Sequence, residues 1–305
     1  MRKLILISLL LSQPILAWNF IEKSLEVGLA YEHNYGDSVI VKEPHIIAGG
    51  LAIGDVNGDG WDDIFAVTGE ILDNNSMNSN PNKLFIAQQD GTYIEQSSDF
   101  GLNTTDSRNA GPLIADLNGD GLRDLIFGSI DQDLDPELKL YVNSNNSSFI
   151  SVNHTFYPSE TYSISAADTD KDGDLDLLQS HWLNDTEHNY WLNNGDGTFI
   201  DVTTTHLNIS PIANSFTSIF ADINNDNHDD LLLTNDFGTS VYFKNNLDGT
   251  MTYSNTDVIN DENGMGAAVG DYDNDGDLDW FASSIYDSDG ISEGNWGVSG
   301  NRLYQ

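Results

Sequence analysis

Cysteine is absent from the 305-residue sequence, so no disulfide can stabilise the fold. Basic residues are scarce as well, because 11 Lys and Arg stand against 49 Asp and Glu, a formal net charge of −38. A charge excess of that sign repels phosphate, so we expect neither a nucleic-acid partner nor docking on an anionic membrane. The same charges repel one another in a compact chain, and bound cations would offset that repulsion.

Long apolar runs are also missing, except for a short one at the N-terminus. Arg2 and Lys3 precede the apolar stretch 4–11, and a cleavage site follows Ala17. This pattern predicts a signal peptide over residues 1–17 and a mature chain of residues 18–305. The run is well under the ~20 residues of a membrane-spanning helix, so we expect no membrane insertion after cleavage. The sequence thus predicts a secreted protein, extracellular or periplasmic, that depends on its core, on metal ions or on both.

The apolar residues that are present suffice for a folded core. They make up 39% of the chain and include 13 Phe, 12 Tyr and 6 Trp. A disordered acidic segment carries far fewer aromatic residues, so the chain is predicted to fold.

An aspartate-rich segment of nine residues occurs five times, at intervals of 49 to 61 residues. The five loops are residues 55–63, 116–124, 168–176, 222–230 and 271–279. Each loop lies between two short apolar segments, and two further short segments complete the unit. Four short strands per repeat, without helical periodicity, predict an all-β fold. We expect a β-propeller of four-stranded blades, with the aspartate loop between the first and second strand of each blade.

The two ends of the chain bear on the number of blades, of which five are visible. Residues 18–24 resemble a fourth strand, and residues 301–305 resemble a third strand. An N-terminal fourth strand could complete the last blade and close a ring of five. Alternatively, the chain is part of a longer propeller, and its abrupt ending favours this second interpretation.

The loops have the chemistry of calcium sites. Carboxylate or amide oxygens at positions 1, 3, 5 and 9, with a main-chain carbonyl from position 7, offer the hard oxygens that Ca²⁺ prefers. Position 6 is Gly60, Gly121, Gly173 or Gly276, which suits a sharp turn with positive φ. Asn227 takes that place in the fourth loop and is expected to give a weaker site. We expect about five Ca²⁺ ions, one per loop. The predicted ligands are Asp55, Asn57, Asp59, Trp61 and Asp63; Asp116, Asn118, Asp120, Leu122 and Asp124; Asp168, Asp170, Asp172, Asp174 and Asp176; Asp222, Asn224, Asp226, His228 and Asp230; and Asp271, Asp273, Asp275, Asp277 and Asp279.

Competing site types fit the loops less well. An EF-hand needs a bidentate Glu at position 12, where this chain has Ala66, Phe127, Gln179, Leu233 and Ala282. Mg²⁺ prefers to keep waters in an octahedral shell, and zinc would need cysteine or histidine ligands. Plain Asp-Gly turns would account for one copy but not for five in register between apolar strands.

These loops and their flanks resemble the FG-GAP/VCBS repeat proteins, whose repeats build the calcium-bearing propeller of integrin α subunits. Residues 49–55 and the unit 194–199, together with the opening segment 20–33, are similar to bacterial relatives of the acidic cartilage protein family, which is associated with ASPIC/UnbV. The resemblance covers nearly all of the mature chain. It implies a seven-bladed propeller, extracellular calcium binding and adhesion or ligand display.

The sequence contains no nucleophile elbow, phosphate loop or His-Glu-x-x-His motif, so we expect no enzymatic activity. His181, Trp182, His188 and Trp191 form an aromatic cluster that could stack on a sugar, although a packing role is favoured. Two classes of function remain. The favoured one is a binding or adhesion scaffold for an extracellular protein or glycan, with calcium mainly structural. The alternative is a module of a secreted carbohydrate- or phosphoester-active enzyme.

Overall fold

The structure is a computed structural model that describes residues 20–31, 49–68, 71–73, 76–78, 82–102, 109–130, 137–153, 156, 160–182, 188–207, 214–286 and 297–305. The predicted signal peptide, residues 1–17, lies outside these described residues. In the described part of the chain, no helix is long and apolar enough to cross a membrane.

The strands form five antiparallel blades, which confirms the predicted all-β propeller. The first blade contains β1 (Gly50–Gly54), β2 (Asp63–Val67), β5 (Lys83–Ala87) and β6 (Tyr93–Glu95), with a hairpin of β3 (Ile71–Asp73) and β4 (Ser76–Asn78) inserted before β5. The second contains β7 (Asn109–Ala115), β8 (Asp124–Ser129), β9 (Lys139–Ser144) and β10 (Ser148–Val152). The third contains β11 (Ser163–Ala167), β12 (Asp176–Ser180), β13 (Asn189–Asn193) and β14 (Phe199–Asp201), followed by the single helical turn α1 (Thr203–His206). The fourth contains β15 (Ser215–Ala221), β16 (Asp230–Asn235), β17 (Val241–Asn245) and β18 (Met251–Tyr253). The fifth contains β19 (Gly264–Gly270), β20 (Asp279–Ser284) and β21 (Arg302–Tyr304) among the described residues.

The register places all five aspartate loops at equivalent points. In each blade the last residue of the first strand pairs with the ninth residue of the loop, as Gly54 pairs with Asp63 and Ala167 with Asp176. The first strands of consecutive blades lie side by side. The loops therefore project from the same end of the propeller.

Apolar clusters between consecutive blades hold the fold together. Between the first two blades, Phe65 and Leu84 are fully buried against Phe127 and Tyr141 of the next blade. The Phe65 and Phe127 rings lie 5.4 Å apart, and Phe127 stacks on Tyr141 at 5.6 Å. Because both faces of a blade are covered, the middle strands read as continuous apolar runs rather than as alternating ones. Each such side chain contributes about 1.5–3 kcal/mol by leaving water.

Asparagine side chains at the ends of third strands join neighbouring blades. The amides of Asn143, Asn193 and Asn245 donate to the main-chain carbonyls of Val56, Leu117 and Thr169, at 2.8 to 2.9 Å. Each of these carbonyls belongs to position 2 of the loop in the preceding blade. The first blade has Ala87 at the corresponding position, so its third strand has no such side-chain donor.

The N-terminal segment differs from its predicted role as a fourth strand of the last blade. Residues 20–31 contain no strand, and residues 23–29 form a turn on the outer edge of the first blade, where Tyr93 N donates to Val27 O at 2.7 Å. Tyr31 packs edge-on against Phe85 of the same blade, with ring centroids 6.2 Å apart. These contacts hold the segment on the first blade, and Phe20 is fully solvent-exposed.

Candidate metal-binding loops

Two of the loops carry aspartate at every odd position and bring three carboxylates together. Each of Asp168, Asp170 and Asp172 offers an oxygen within 4.8 Å of the others. Asp271, Asp273 and Asp275 have the same arrangement. Two oxygens that both lie about 2.4 Å from one Ca²⁺ are at most ~4.8 Å apart, so these groups match the size of a calcium coordination shell.

In the other three loops an asparagine occupies position 3. The Asn57 amide donates to Asp59 at 2.9 Å, and the Asn118 amide donates to Asp120 at 3.1 Å. In the fourth loop the Asn224 amide donates to Asp230 at 2.7 Å. Positions 3 and 5, or 3 and 9, therefore meet in these loops too, and the amide oxygen would offer a neutral ligand beside the carboxylates.

The aspartate at position 1 shapes the loop by accepting main-chain hydrogen bonds. Asp55 accepts from the N–H groups of Gly58, Asp59 and Gly60, at 2.7 to 3.1 Å. Gly60 has φ of 88°, in the left-handed region that glycine adopts without strain. Asn227 holds the same conformation in the fourth loop with φ of 67°, as expected from its place at position 6.

The third loop has an additional feature that suits a cation. The Oδ1 atom of Asp168 is buried and has no hydrogen-bond partner. A buried, unpaired carboxylate oxygen costs free energy unless a cation or a donor compensates it. The donor set of this loop therefore fits a bound Ca²⁺, for which Asp168, Asp170 and Asp172 would supply oxygens.

The aspartate at position 9 ties each loop to the rest of its blade. In the third blade, Asp176 accepts from the main-chain N–H of Thr169 at position 2 and from that of Asn193 on the third strand, at 3.1 and 3.0 Å. Asp124 makes the equivalent bonds to Leu117 and Asn143, both at 2.9 Å. The sequence suggested only a ligand role for these residues. The recurring Asn at the end of the third strand was the signal for this second role.

Burial changes the acidity of the aspartates at position 9. It raises the pKa of Asp124 and of Asp176 to about 6, against hydrogen bonds from main-chain N–H groups that lower it. Burial also raises the pKa of Asp63 and Asp230. A cation beside such a carboxylate stabilises its ionised form and offsets the desolvation.

Position 7 is predicted to offer its main-chain carbonyl to a metal ion. In the structure its main-chain N–H donates to the carboxylate at position 5. The N–H groups of Trp61, Leu122 and His228 donate to Asp59, Asp120 and Asp226, at 2.8 to 3.1 Å. The N–H groups of Asp174 and Asp277 donate to Asp172 and Asp275, both at 3.0 Å. The structure thus places position 7 next to position 5 in each loop, and the role of its carbonyl as a calcium ligand stays a prediction.

The next blade covers a loop and sets its exposure. The turn between the last two strands of the fourth blade lies over the third loop, so a Cβ on Gly249 would be 3.1 Å from that of Asp170. This close approach, with φ of 78°, requires glycine at position 249. In the fifth loop, by contrast, all residues from Asp271 to Asp277 are exposed.

The aromatic cluster of the third blade is part of the core. His181, Trp182, His188 and Trp191 are all buried. Trp182 stacks on Phe216 at 4.9 Å and donates to Asp236 at 2.8 Å. The packing interpretation is confirmed, because none of these four side chains presents an exposed face to a sugar.

The match to a known protein family corresponds to the spacing of the aspartate loops. The FG-GAP-like repeat family matches residues 55–127, 116–178, 181–233 and 222–282, and three of these stretches begin at position 1 of a loop. The chain belongs to the FG-GAP-like repeat family. The resemblance to FG-GAP repeat proteins is thereby confirmed. The described residues of this FG-GAP-like protein form five blades, not the seven that the resemblance implies. No curated protein sequence matches it.

Several solved structures are similar to this FG-GAP-like protein at low sequence identity. A lectin from Agrocybe aegerita, which recognises non-reducing terminal N-acetylglucosamine, is 17% identical with a TM-score of 0.51, covering 85% of this chain and 71% of the lectin. The V. cholerae biofilm matrix protein Bap1 is 18% identical with a TM-score of 0.41, covering 78% of this chain and 35% of Bap1. A thermostable family-43 glycoside hydrolase is 11% identical with a TM-score of 0.37, covering 76% of this chain and 83% of the hydrolase.

Proposed function

We propose that this protein is a secreted, calcium-stabilised scaffold that binds a glycan or protein ligand and has no catalytic activity of its own. The observation that carries the calcium part is the repeated convergence of carboxylates, with an unpaired buried oxygen on Asp168. The five loops hold part of the large acidic excess of the chain, and bound Ca²⁺ would neutralise charge where it is concentrated.

Calcium has a structural role in this proposal. Each loop joins the first two strands of a blade, and in the first four blades its position-9 aspartate also holds the third strand, as Asp176 holds Asn193. An ion in the loop would therefore fix the relative position of three strands. Binding that exists only in the folded state adds to the free energy of unfolding. Extracellular modules bind calcium at about 10⁻⁴–10⁻³ M, so such sites fill outside cells and not in the cytosol.

The ligand part of the proposal is supported by the fold shared with the lectin. Propellers present variable loops at the ends of rigid blades, which is where ligands are commonly held. The acidic surface favours a neutral or cationic ligand over a nucleic acid or a polyanionic glycan.

The calcium part is tested by thermal unfolding of the purified chain with saturating Ca²⁺, with EGTA and with Mg²⁺, together with a count of bound metal. We expect a large increase in Tm with Ca²⁺ only, and about five ions per chain. The variant Asp170→Asn with Asp172→Asn should lose about one ion, whereas the matched control Asp99→Asn, at an exposed turn residue far from any loop, should lose none. Unchanged Tm and no bound calcium would refute the role of the loops.

The ligand part is tested separately, with a glycan array and a panel of chromogenic glycosides and phosphoesters, each with and without Ca²⁺. We expect binding without turnover. Hydrolysis of any substrate that scales with protein concentration would overturn the non-catalytic proposal.

A further inference from the structure

The rear face of each blade, defined as the side turned toward the next blade, carries three equivalent positions, which are apolar or aromatic except for Thr169 in the third blade. They are position 2 of the loop, the third residue of the second strand and the second residue of the third strand. In the first blade these are Val56, Phe65 and Leu84, all fully buried by the second blade. In the fifth blade the equivalents are Tyr272, Phe281 and Leu303, which are 56%, 41% and 44% exposed. The rear face of the fifth blade is therefore an uncovered copy of an interface used four times within the protein.

The front face of a blade is the side turned toward the preceding blade, and in the first blade this face is also exposed to solvent. Ile53 and Leu51 on its innermost strand are 63% and 65% exposed. In the second blade the residue equivalent to Ile53 is Ile114, which packs against the cluster of the first blade. A Cβ on Gly54 would lie 2.7 Å from a methyl carbon of Ile114, whereas a Cβ on the equivalent Gly270 of the fifth blade would meet nothing within 4 Å.

A cavity of about 200 Å³ opens at the outer edge of the fifth blade. Its walls include Ile223, Leu232, Tyr242, Val258, Trp280 and Tyr304. The equivalent residues at the interface between the first two blades form one cluster with Phe149 on the fourth strand of the second blade. They are Val56, Phe65, Leu84, Phe100, Leu125 and Tyr141. The cavity thus lies where the interface between the first two blades holds an aromatic side chain from a fourth strand.

The N-terminal segment has the features of that fourth strand and of the turn that follows it. Residues 20–29 align with 93–102 without a gap, from Phe20 with Tyr93 to Leu29 with Leu102. The turns share their hydrogen bonds: Leu29 N donates to Ser24 O and Leu102 N to Ser97 O, both at 2.8 Å. The turn 96–102 docks on the blade that follows it, since Phe149 N donates to Phe100 O at 2.8 Å, and residues 23–29 dock on the first blade in the same way. Phe20 then stands where the fourth strand of a preceding blade would lie.

We propose that a second copy of this chain binds head to tail, with the front face of its first blade on the rear face of the fifth blade of the first copy. Phe20 of the second copy fills the 200 Å³ cavity, and residues 20–22 pair with β21 as a fourth strand beside the three described ones. Such a heterologous interface leaves one free face on each end copy, so association can continue beyond a dimer.

A second copy fits the described structure better than closure within one chain. Both faces of a single chain are solvent-exposed here, so closure would require the blades to rearrange, whereas a second copy can dock without rearrangement. The junction lacks the asparagine bond between blades, since the first blade has Ala87 in its place. It therefore depends on apolar burial and strand pairing, and the acidic charge of both copies opposes it at low ionic strength.

The first test is the mass of the purified chain by light scattering over a range of concentrations, with Ca²⁺ and about 0.15 M salt. We expect the mass to rise above that of one chain. Ile53→Asp destroys the front face only and Phe281→Asp the rear face only, so each alone should stay monomeric. Equal amounts of the two variants should give a particle of twice the monomer mass and nothing larger, because one intact front face meets one intact rear face.

The control is Ile150→Asp, which changes a 57% exposed isoleucine on the outer strand of the second blade and should associate like the native chain. All three substitutions are at exposed positions, and thermal unfolding verifies that each variant folds. A native chain that stays monomeric at every concentration overturns the proposal, as does a variant mixture that stays monomeric.

A cysteine pair separates association between copies from closure within one chain. The chain has no cysteine, so an engineered pair forms the only disulfide. Between the first two blades the equivalent Cβ positions, at Gly54 and Ile114, are 3.4 Å apart, close to the ~3.8 Å of a disulfide. On oxidation, a chain with both Ile53→Cys and Gly270→Cys should give a ladder of cross-linked multimers on a non-reducing gel. A single band at the mass of one chain, shifted by reduction, would show closure within the chain and refute the head-to-tail contact.

Discussion

The third and fifth blades carry the same five aspartates in their loops but differ in what lies against them. The third loop is half-buried under Gly249 of the next blade, and the rear-face residues Thr169, Leu178 and Tyr190 are fully buried. The fifth loop is exposed from Asp271 to Asp277, and its rear face is open to solvent.

The comparison shows that a blade acquires much of its environment from the blade that follows it. Loops with the same five aspartates therefore give unequal sites: in the third loop, Asp168 has a buried oxygen without a hydrogen-bond partner, whereas the equivalent Asp271 is exposed. This is the behaviour of a repeat array, in which the interface between neighbours carries a large part of the stability of each unit.

Truncation of rear-face side chains should give the largest difference in stability loss between the third and the fifth blade. Leu178→Ala removes a fully buried side chain between the third and fourth blades and should lower the free energy of unfolding by about 3 kcal/mol. Phe281→Ala in the fifth blade should cost less than about 1 kcal/mol at concentrations where the chain is monomeric, because its side chain is 41% exposed. Chemical denaturation midpoints of the two variants measure both effects, and equal losses would show that the fifth blade is covered.

The next largest difference between the two blades should be a pH-dependent contribution to stability in the third blade. The main-chain N–H of His181 donates to Nδ1 of His188 in the third blade, and the main-chain N–H of Ser284 donates to Asn301 at the same place in the fifth. Burial, with a smaller contribution from His181, lowers the pKa of His188 to about 3. The unfolded chain binds this proton below pH ~6.5 and the folded chain does not, so stability is lost as pH falls through that range.

His188→Asn copies the fifth blade and removes the titrating group while keeping an acceptor. Between pH 7 and pH 5, we expect the free energy of unfolding of the variant to rise by about 2 kcal/mol relative to that of the native chain. Unfolding midpoints at the two pH values, taken as a difference between the two proteins, cancel the contribution of the many aspartates. A difference that does not change with pH would mean that His188 is protonated in the folded state.

The aspartates at position 9 offer a smaller contrast. Asp176→Asn turns an amide group toward the main-chain N–H groups of Thr169 and Asn193 and should cost about 2 kcal/mol. Asp279 accepts from the N–H of Tyr272 at the exposed end of the array, and Asp279→Asn should cost about half as much. Differential scanning calorimetry in EGTA measures these losses without a contribution from metal. A larger loss for the fifth blade would contradict the idea that the following blade sets the cost.

The smallest expected effect concerns calcium itself and depends on the proposed function. Asp170→Asn and Asp273→Asn each remove one carboxylate from a matched group of three. Because the third loop is partly shielded from water by the fourth blade, its substitution should weaken calcium binding more, by about 1 kcal/mol. Isothermal titration calorimetry of the two variants provides the comparison. Equal losses would indicate that the covering blade does not influence affinity.

The sequence was sufficient to predict the strands and loops because both are encoded locally. Asp55, Asn57 and Asp59 recur at fixed spacing, and alternate loop positions turn toward one centre in any such turn. The contacts between blades were not predictable in the same way. Nothing in the local pattern of Tyr272, Phe281 or Leu303 distinguishes them from their buried equivalents, because only the neighbouring blade decides their exposure. Residues 18–24 were predicted to be a fourth strand, but residues 20–31 contain no strand in the structure. Their attachment to the first blade depends on hydrogen bonds that a sequence pattern does not specify.

The asparagines at the ends of the third strands have a mechanical consequence. The main-chain N–H of Asn193 donates to Asp176 of its own loop, and the side-chain amide of Asn193 donates to the carbonyl of Leu117 in the preceding loop. Asn143 and Asn245 repeat this connection, so the first four loops are joined in series by rigid, two-ended links. A force or a displacement applied to one loop is passed to the next through one Asp carboxylate and one Asn amide, each held by hydrogen bonds to main-chain atoms. The rim of the propeller that carries the aspartates should therefore deform as one body from the first blade to the fourth.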